Sequence, residues 1–546
     1  MSKANFIKIL ILSFLTILFL CLSFPPADLG YLVWIAFVPW FLLIVTEEKY
    51  VYFNALLIGA AFFFIQLSWL RYVTTTAWVL LSLYCSAYFI AFAFCTRFIA
   101  FRLKWPLVII APCIWASLEF IRSFLLSGFP WFFIGHTQYR FLPVIQISDI
   151  TGVYGISFSI VMVNAGIVDL IIRSLASSNK LVSGFISEGQ YSKHLLSSRK
   201  SVFFSLICIM PLALLTAILL YGVCWLKDYK PQEGPAICMV QGNIPQDLKF
   251  VSTEEDDIQI LKKYSDLSMG VKGKLIDLLV WPETMVPGLL NINPELTGRK
   301  IDMLSQFTAV QLAQDLNTNL LLGGLALTLV GDEQIYFNSA YYYNREGKLA
   351  DRYDKIHLVP FGEFTPLKKY FPFLASLVPY EIGLTHSNRR TLFNLDTHTG
   401  GSFTFGSSIC YEDTVPSLIR KFKKDGAEFM LNITNDGWFC NSAELDQHLA
   451  IMVFRAVENR ICMARAANTG ISSFVAPDGY IYDKLSDAEG KYREVCGTLI
   501  NRIKLIKKYN TFYTICGDLF SILCVVAFGT MLIMSVFKIR LSRKMP

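Results

Sequence analysis

The chain has 546 residues, 54% of them hydrophobic and only 17% charged, where a soluble globular protein carries about one-quarter charged residues. That excess of apolar residues excludes an ordinary soluble enzyme. The net charge of +7 is carried largely by connections between apolar runs, so it reads as a topology signal and gives no reason to propose nucleic acid as a partner.

Taken in chain order, the apolar excess falls in eight runs at 5–24, 30–46, 51–70, 76–96, 105–125, 152–172, 201–226 and 511–537. About 20 apolar residues span the ~30 Å hydrocarbon core of a bilayer, so about eight membrane helices are expected. The first run has no small-x-small cleavage site before Pro25-Pro26 and reads as a retained helix, not a signal peptide. Alternate connections carry Lys49, then Arg97, Arg102 and Lys104, then Arg173, Lys180, Lys193, Arg199 and Lys200. The positive-inside rule makes these cytoplasmic. Seven crossings then put the long polar segment outside. The division expected is a seven-helix membrane domain at 1–228, an extracytoplasmic domain at 229–508, and a closing helix with a cytoplasmic tail at 509–546.

The outer segment alternates short strands with helix-like stretches, the pattern of α/β architecture. ICMVQGN (237–243) is a strand, and 254–270 has helical spacing. LIDLLVWPET (275–284) reads as a buried strand ending at Pro282-Glu283. A helix at 301–316 follows, then the strands NLLLGGLAL (319–327) and SAYYYN (339–344). FTFGSSICYED (403–413) and EFMLNITNDGWF (428–439) come next, with a long amphipathic helix expected over 443–466. Three strands therefore end at chemically loaded residues: Glu283, Cys410 and Asn435-Asp436. Rigid strand ends are where active-site residues collect.

Each candidate has a plain alternative. Cysteine is among the most buried residue types, so Cys410 alone points to packing as readily as to catalysis. Glu283 alone is an ordinary loop acid, and Lys355, within DRYDKIHLVPFGEF (351–364), is an ordinary surface lysine. The outer segment holds Cys238, Cys410, Cys440, Cys462 and Cys496, an odd set with no CxxC spacing. The six histidines show no HxxH or HxxxH pairing, so their spacing does not support a zinc site; no metal or cofactor is expected. His357, two residues from Lys355, offers a competing Cys–His chemistry. No papain-like motif accompanies it, and His448 reads as a residue pinning a loop or helix.

In combination, WPET (281–284), YDKIHLVPFGE (353–363) and ICYED (409–413) resemble the nitrilase superfamily, whose members carry Glu, Lys and Cys in that chain order. With apolar runs on both sides, the resemblance narrows to the apolipoprotein N-acyltransferase family and covers essentially the whole chain. It implies an αββα sandwich for the outer domain and catalysis by Glu283, Lys355 and Cys410. Glu363, Tyr411 and Glu412 match further family positions. It also implies a phospholipid acyl donor, a diacylated apolipoprotein acceptor, and a bacterial inner membrane with the catalytic domain on the periplasmic side. Extracting a sixteen-carbon chain into water would cost on the order of 10 kcal/mol at ~0.8 kcal/mol per CH₂, which is reason enough for such an enzyme to sit in the bilayer. YFPFLASLVPYEIG (370–383) and Gly437-Trp438-Phe439 read as apolar arms dipping toward the interface. The chain departs from the family at Phe250, where tryptophan is frequent, and at Cys440, where glycine is usual. A membrane-anchored amidase of the same superfamily is the alternative enzyme, and a transporter with an external binding module is the alternative of another class.

Overall fold

A computed structural model describes residues 3–47, 49–177, 202–246, 248, 253–360, 362–364, 370, 383–506 and 509–544. Phe250 and nearly all of 370–383 lie outside these residues. The chain divides into two units: 1–71, 75–228 and 518–546 form one, and 72–74 with 229–517 form the other.

In the first unit every apolar run is helical, but not every run is one long helix. Five described helices are long and apolar enough to cross a membrane: Asn5–Ser23, Thr75–Leu103, Val153–Ser174, Ile209–Asp228 and Leu519–Lys538. Val51–Gln66 and Leu107–Arg122 have 16 residues each, short of the usual span. The 30–46 run breaks at Phe37 into Val33–Ala36 and Val38–Thr46, with Pro39 in the first turn of the second piece, where its missing N–H costs no intrahelical bond. Asn164 fills the break. Its amide oxygen accepts from the Phe37 N–H at 2.9 Å and its amide nitrogen donates to the Val33 carbonyl at 3.0 Å. Val33 and Phe37 are the pair an unbroken helix would have joined, and in an apolar interior such groups need a partner. Around it pack Phe37, Trp40, Phe41, Phe89, Phe92 and Trp115, with ring centroids 4.7 to 6.5 Å apart.

The last run, expected as one helix from 511, is interrupted. Phe512–Cys516 is a short helix of the second unit, ended by Gly517 at φ +65°, and the long helix starts at Leu519. Thr511 anchors the short piece. Its hydroxyl accepts from the Thr514 N–H at 2.8 Å and donates to the Glu458 carbonyl at 2.6 Å.

The second unit holds two six-stranded sheets. The strands are β1 (Gln232–Gln241), β2 (Leu278–Val286), β3 (Asn319–Val330), β4 (Glu333–Tyr343), β5 (Leu349–Asp354), β6 (Leu392–Asp396), β7 (Ser402–Ile409), β8 (Phe429–Thr434), β9 (Cys462–Ala467), β10 (Ser473–Val475), β11 (Ile481–Lys484) and β12 (Gly497–Leu505). Their orders are β12-β1-β2-β3-β4-β5 and β11-β10-β9-β8-β7-β6. Each sheet has a parallel core of three strands, β1-β2-β3 or β7-β8-β9, flanked by antiparallel strands. The sheets pack face to face through β2 on β8 and β9. The helices Glu254–Met269 and Lys300–Leu316 lie against the first sheet, and Glu444–Asn459 against the second. This is the αββα sandwich the motifs imply. Strands buried on both faces read as continuous apolar runs, as LLVW (278–281) and FMLNIT (429–434) do.

One expected element is different. The helix foreseen over 443–466 ends at Asn459, with Arg460 left-handed at φ +47°, and residues 462–467 form β9. CMARAA has no strand-like alternation, yet it is hydrogen-bonded in parallel to β8 and antiparallel to β10. Tertiary pairing overrides local propensity there.

β2 and β3 do not pair evenly. Trp281 faces Leu322 and Val286 faces Gly324, with a slip between them, and Thr284 takes φ +53°. This bulge projects Glu283 out of the ladder. Gly323 makes room for it, since a Cβ there would come within 2.1 Å of the Pro282 carbonyl oxygen and 2.8 Å of Glu283 Cα. Gly323→Ala is therefore expected to destabilise the fold by about 1–3 kcal/mol and to lower activity by displacing Glu283. Thermal unfolding and turnover of the purified variant check both.

Candidate active site

Glu283, Lys355, Glu363 and the Cys410 turn come from four separate strand ends and loops. Trp281, 1% exposed, seats the first of them: its indole N–H donates to Ser268 Oγ at 2.9 Å and its ring packs on Tyr264 at 5.1 Å. Lys355 directly follows β5 and is 1% exposed. Its Nζ lies 2.9 Å from Glu363 Oε1 and 3.3 Å from Glu283 Oε1. Burial pulls the Lys355 pKa down, but Glu363 and Glu283 outweigh burial and push it up, so the side chain is an ammonium. Asn338, buried on β4, donates to Glu283 Oε1 at 2.7 Å and Glu363 Oε1 at 3.2 Å. The Asn435 N–H donates to Glu283 Oε2 at 3.0 Å, and the Val359 N–H to Glu363 Oε2 at 2.8 Å. Each buried carboxylate oxygen thus has a donor, as burial requires.

Cys410 opens a short 3₁₀ turn, Cys410–Thr414, at the end of β7 and takes φ +52°. A non-glycine residue in that region stores strain that persists only where its surroundings over-determine it. Several contacts do so here. The Asn432 side-chain amide donates to the Cys410 carbonyl at 3.0 Å. Glu412 Oε2 accepts from the Ile409 N–H at 2.8 Å, while its Oε1 accepts from the N–H groups of Ile356 at 2.7 Å and His357 at 2.9 Å. The Tyr353 hydroxyl reaches both Glu412 oxygens, at 2.9 and 2.8 Å. Glu412 thereby ties the backbone after Lys355 to the backbone before Cys410. Burial pushes its carboxyl up to about 7 against the pull of these hydrogen bonds. The Cys410 thiol is pushed well above its ordinary value by burial and by Glu283, with Lys355 pulling the other way. The resting group is a thiol, and an attack by it needs a base.

Glu412→Gln keeps the shape but replaces one acceptor oxygen by an NH₂, which leaves buried N–H donors unpaired at about 1–3 kcal/mol. Turnover is expected to fall about 100-fold in a protein that still folds, as measured beside thermal unfolding.

Of the other residues singled out from sequence, Tyr411 is buried and stacks on His357 with ring centroids 5.9 Å apart. Trp438 is half-buried in the turn Asp436–Phe439 after β8, and Cys440 beyond it is exposed at φ +52°. Asn338 escaped sequence reading, although an asparagine inside the apolar strand FNSAYYY was a signal that a buried partner exists.

Behind the Cys410 turn, Asp436, Glu444 and His448 place ligand-type atoms within 4.8 Å of one another. The set is better described as an ion cluster than as a metal centre. His448 Nε2 is 2.8 Å from Asp413 Oδ1, and Arg465 pairs with the other Asp413 oxygen. Burial and Arg465 pull the His448 pKa down, but Asp413 and Asp436 push it up to about 10. Burial and Asp436 push Glu444 well up. Two cations then balance two carboxylates without an added ion.

Helices long and apolar enough to cross a membrane, joined in one chain to a two-sheet αββα sandwich, point to a membrane protein with a carbon-nitrogen hydrolase-type domain. A carbon-nitrogen hydrolase family model matches residues 237–505, and a model for the apolipoprotein N-acyltransferase N-terminal domain matches 18–166. The apolipoprotein N-acyltransferase of Geobacter metallireducens is 34% identical over 93% of this chain and 91% of its own. That of Chlorobaculum tepidum is 26% identical over 95% and 94%. The chain belongs to the apolipoprotein N-acyltransferase family. Among solved structures, Saccharomyces cerevisiae Nit3, of the nitrilase superfamily, aligns with 50% of this chain and 91% of its own at 18% identity and TM-score 0.35.

Proposed function

We propose that this membrane acyltransferase moves a fatty acyl chain from a phospholipid, through a thioester on Cys410, to the N-terminal α-amine of a diacylglyceryl-cysteine apolipoprotein. The observation that carries the reading is the buried Glu283–Lys355–Glu363 group, in which the Glu283 and Lys355 charges act on the thiol of the strained Cys410 turn, on a chain of this family. Glu283 takes the thiol proton as sulfur attacks the ester carbonyl. The Lys355 ammonium favours the thiolate and then the oxyanion of the tetrahedral intermediate. The C–O bond breaks, and the lysophospholipid oxygen leaves with the proton from Glu283. In the second half-reaction the lipoprotein amine attacks the thioester and Glu283 accepts its proton. The C–S bond then breaks, leaving an amide and returning Cys410 to the thiol.

Glu363 orients Lys355, and Glu412 holds the two turns together beside Tyr411. Phe250 and Trp438 offer aromatic surface to lipid. The lysine and arginine distribution supports an inner-membrane protein with residues 229–508 on the periplasmic side. Detergent-solubilised protein given phosphatidylethanolamine and a diacylated lipopeptide is expected to release lysophospholipid and triacylated lipopeptide in equal amounts. Free fatty acid without triacylated product would overturn the transferase reading in favour of a hydrolase.

A further inference from the structure

The ion cluster behind Cys410 takes no part in the proton transfers above, yet it touches the nucleophile from two sides. His448 sits on the helix Glu444–Asn459 and is 1% exposed. Its Nε2 holds Asp413 at 2.8 Å, and Asp413 belongs to the same five-residue turn as Cys410. Its Nδ1 lies 3.4 Å from Asp436 Oδ1 and 3.6 Å from Glu444 Oε1. Asp436 Oδ1 in turn accepts the Thr434 hydroxyl at 2.7 Å. Ile409 of β7 is in register with Ile433 of β8, so Thr434 follows beside Cys410, and both Thr434 and the Asp436 charge act on the thiol. The charged and titratable groups facing His448 are thus Asp413 from the Cys410 turn, Asp436 from the turn after β8, Glu444 from its own helix and Arg465 from β9.

We propose that His448 is a positioning residue for Cys410: one ring nitrogen holds the turn that carries the thiol through Asp413, while the other offsets the Asp436 carboxylate, whose negative charge opposes thiolate formation. The inference rests on Cys410 being the nucleophile. An uncompensated carboxylate beside the reacting sulfur would slow both its deprotonation and its attack, because like charge disfavours the ionised form. The imidazolium prevents this at no cost in solvent access, since the whole cluster is buried. The same arrangement explains why a histidine with carboxylates on both nitrogens lies here without serving as the base.

The test is the rate of iodoacetamide alkylation of Cys410 in the full-length, detergent-solubilised protein, read by peptide mass spectrometry from about pH 6 to about pH 10. The exposed Cys496 and Cys516 serve as internal references. His448→Gln is expected to move the Cys410 profile about one pH unit upward, which is about tenfold slower alkylation at a fixed pH below the midpoint. It should lower kcat with KM unchanged and leave the reference cysteines alone. Asp436→Asn is expected to speed Cys410 alkylation, and the double variant His448→Gln/Asp436→Asn to recover the wild-type profile. A purely structural histidine would give a double variant no faster than His448→Gln, and that result overturns the proposal. If His448→Gln does not fold, Asp436→Asn decides alone: faster alkylation supports the proposal, and unchanged or slower alkylation overturns it. Failure of the nucleophile reading would show separately, as acyl transfer retained in Cys410→Ala.

Discussion

Cys410→Ala is expected to abolish acyl transfer, a loss of at least about 10⁴-fold, while the protein still folds and inserts. The loss is large because no neighbouring group can replace sulfur: Glu283 and Glu363 are engaged by Lys355, Asn338 and backbone N–H groups, and no thioester forms without the thiol. Removing the nucleophile of a group that acts as a unit costs nearly the whole chemical acceleration. Folding is spared because the bonds that hold the turn are made by the Cys410 backbone carbonyl and by Glu412, not by the thiol. Production of triacylated lipopeptide beside a thermal unfolding curve measures both halves of the expectation. Turnover within tenfold of wild type would remove Cys410 as the nucleophile.

Lys355→Met is the second large effect, and it acts through charge. The ammonium is buried between two carboxylates at 2.9 and 3.3 Å. Without it, Glu283 and Glu363 face each other across the Asn338 amide with no cation between them. One of the two must then take up a proton, and breaking a buried ion pair costs about 3–5 kcal/mol when no such relief occurs. On the proposed mechanism the oxyanion also loses its positive neighbour, worth about 10²–10³ in rate by itself. Acyl transfer is expected to drop at least about 10³-fold, with a lowered unfolding temperature. Lys355→Met/Glu363→Gln should recover much of the stability and none of the activity. Recovered activity in the double variant would show that Lys355 serves only to neutralise Glu363.

Much of this architecture was legible in the residues because two simple periodicities carry it. Long apolar runs announce helices, and short apolar runs before WPET, ICYED and NDGWF announce strands whose ends gather in one place. Where the reading slipped, the information was non-local. CMARAA became a strand only because β8 and β10 lie on either side of it. The 30–46 run breaks at Phe37, and the repair comes from Asn164, more than a hundred residues away. The end of the chain splits at Gly517 because Phe512–Cys516 is held to the second unit by Thr511. In the site, Glu283, Lys355, Glu363 and Cys410 could be singled out from motifs. Asn338 could not, since its role exists only when β4 brings it to two glutamates from other elements. His448 could be read as pinning a loop or helix, but its partners Asp413 and Asp436, like the stacking of His357 on Tyr411, needed three dimensions.

On the proposed mechanism the thiol at the end of β7 carries an acyl group taken from lipid, and intact and peptide mass spectrometry of the membrane-purified protein, before and after neutral hydroxylamine, reads that group out. A fatty-acyl mass on the Cys410 peptide that hydroxylamine removes is the predicted result. A Cys410 peptide that stays unmodified after incubation with phospholipid in the absence of any acceptor would contradict it.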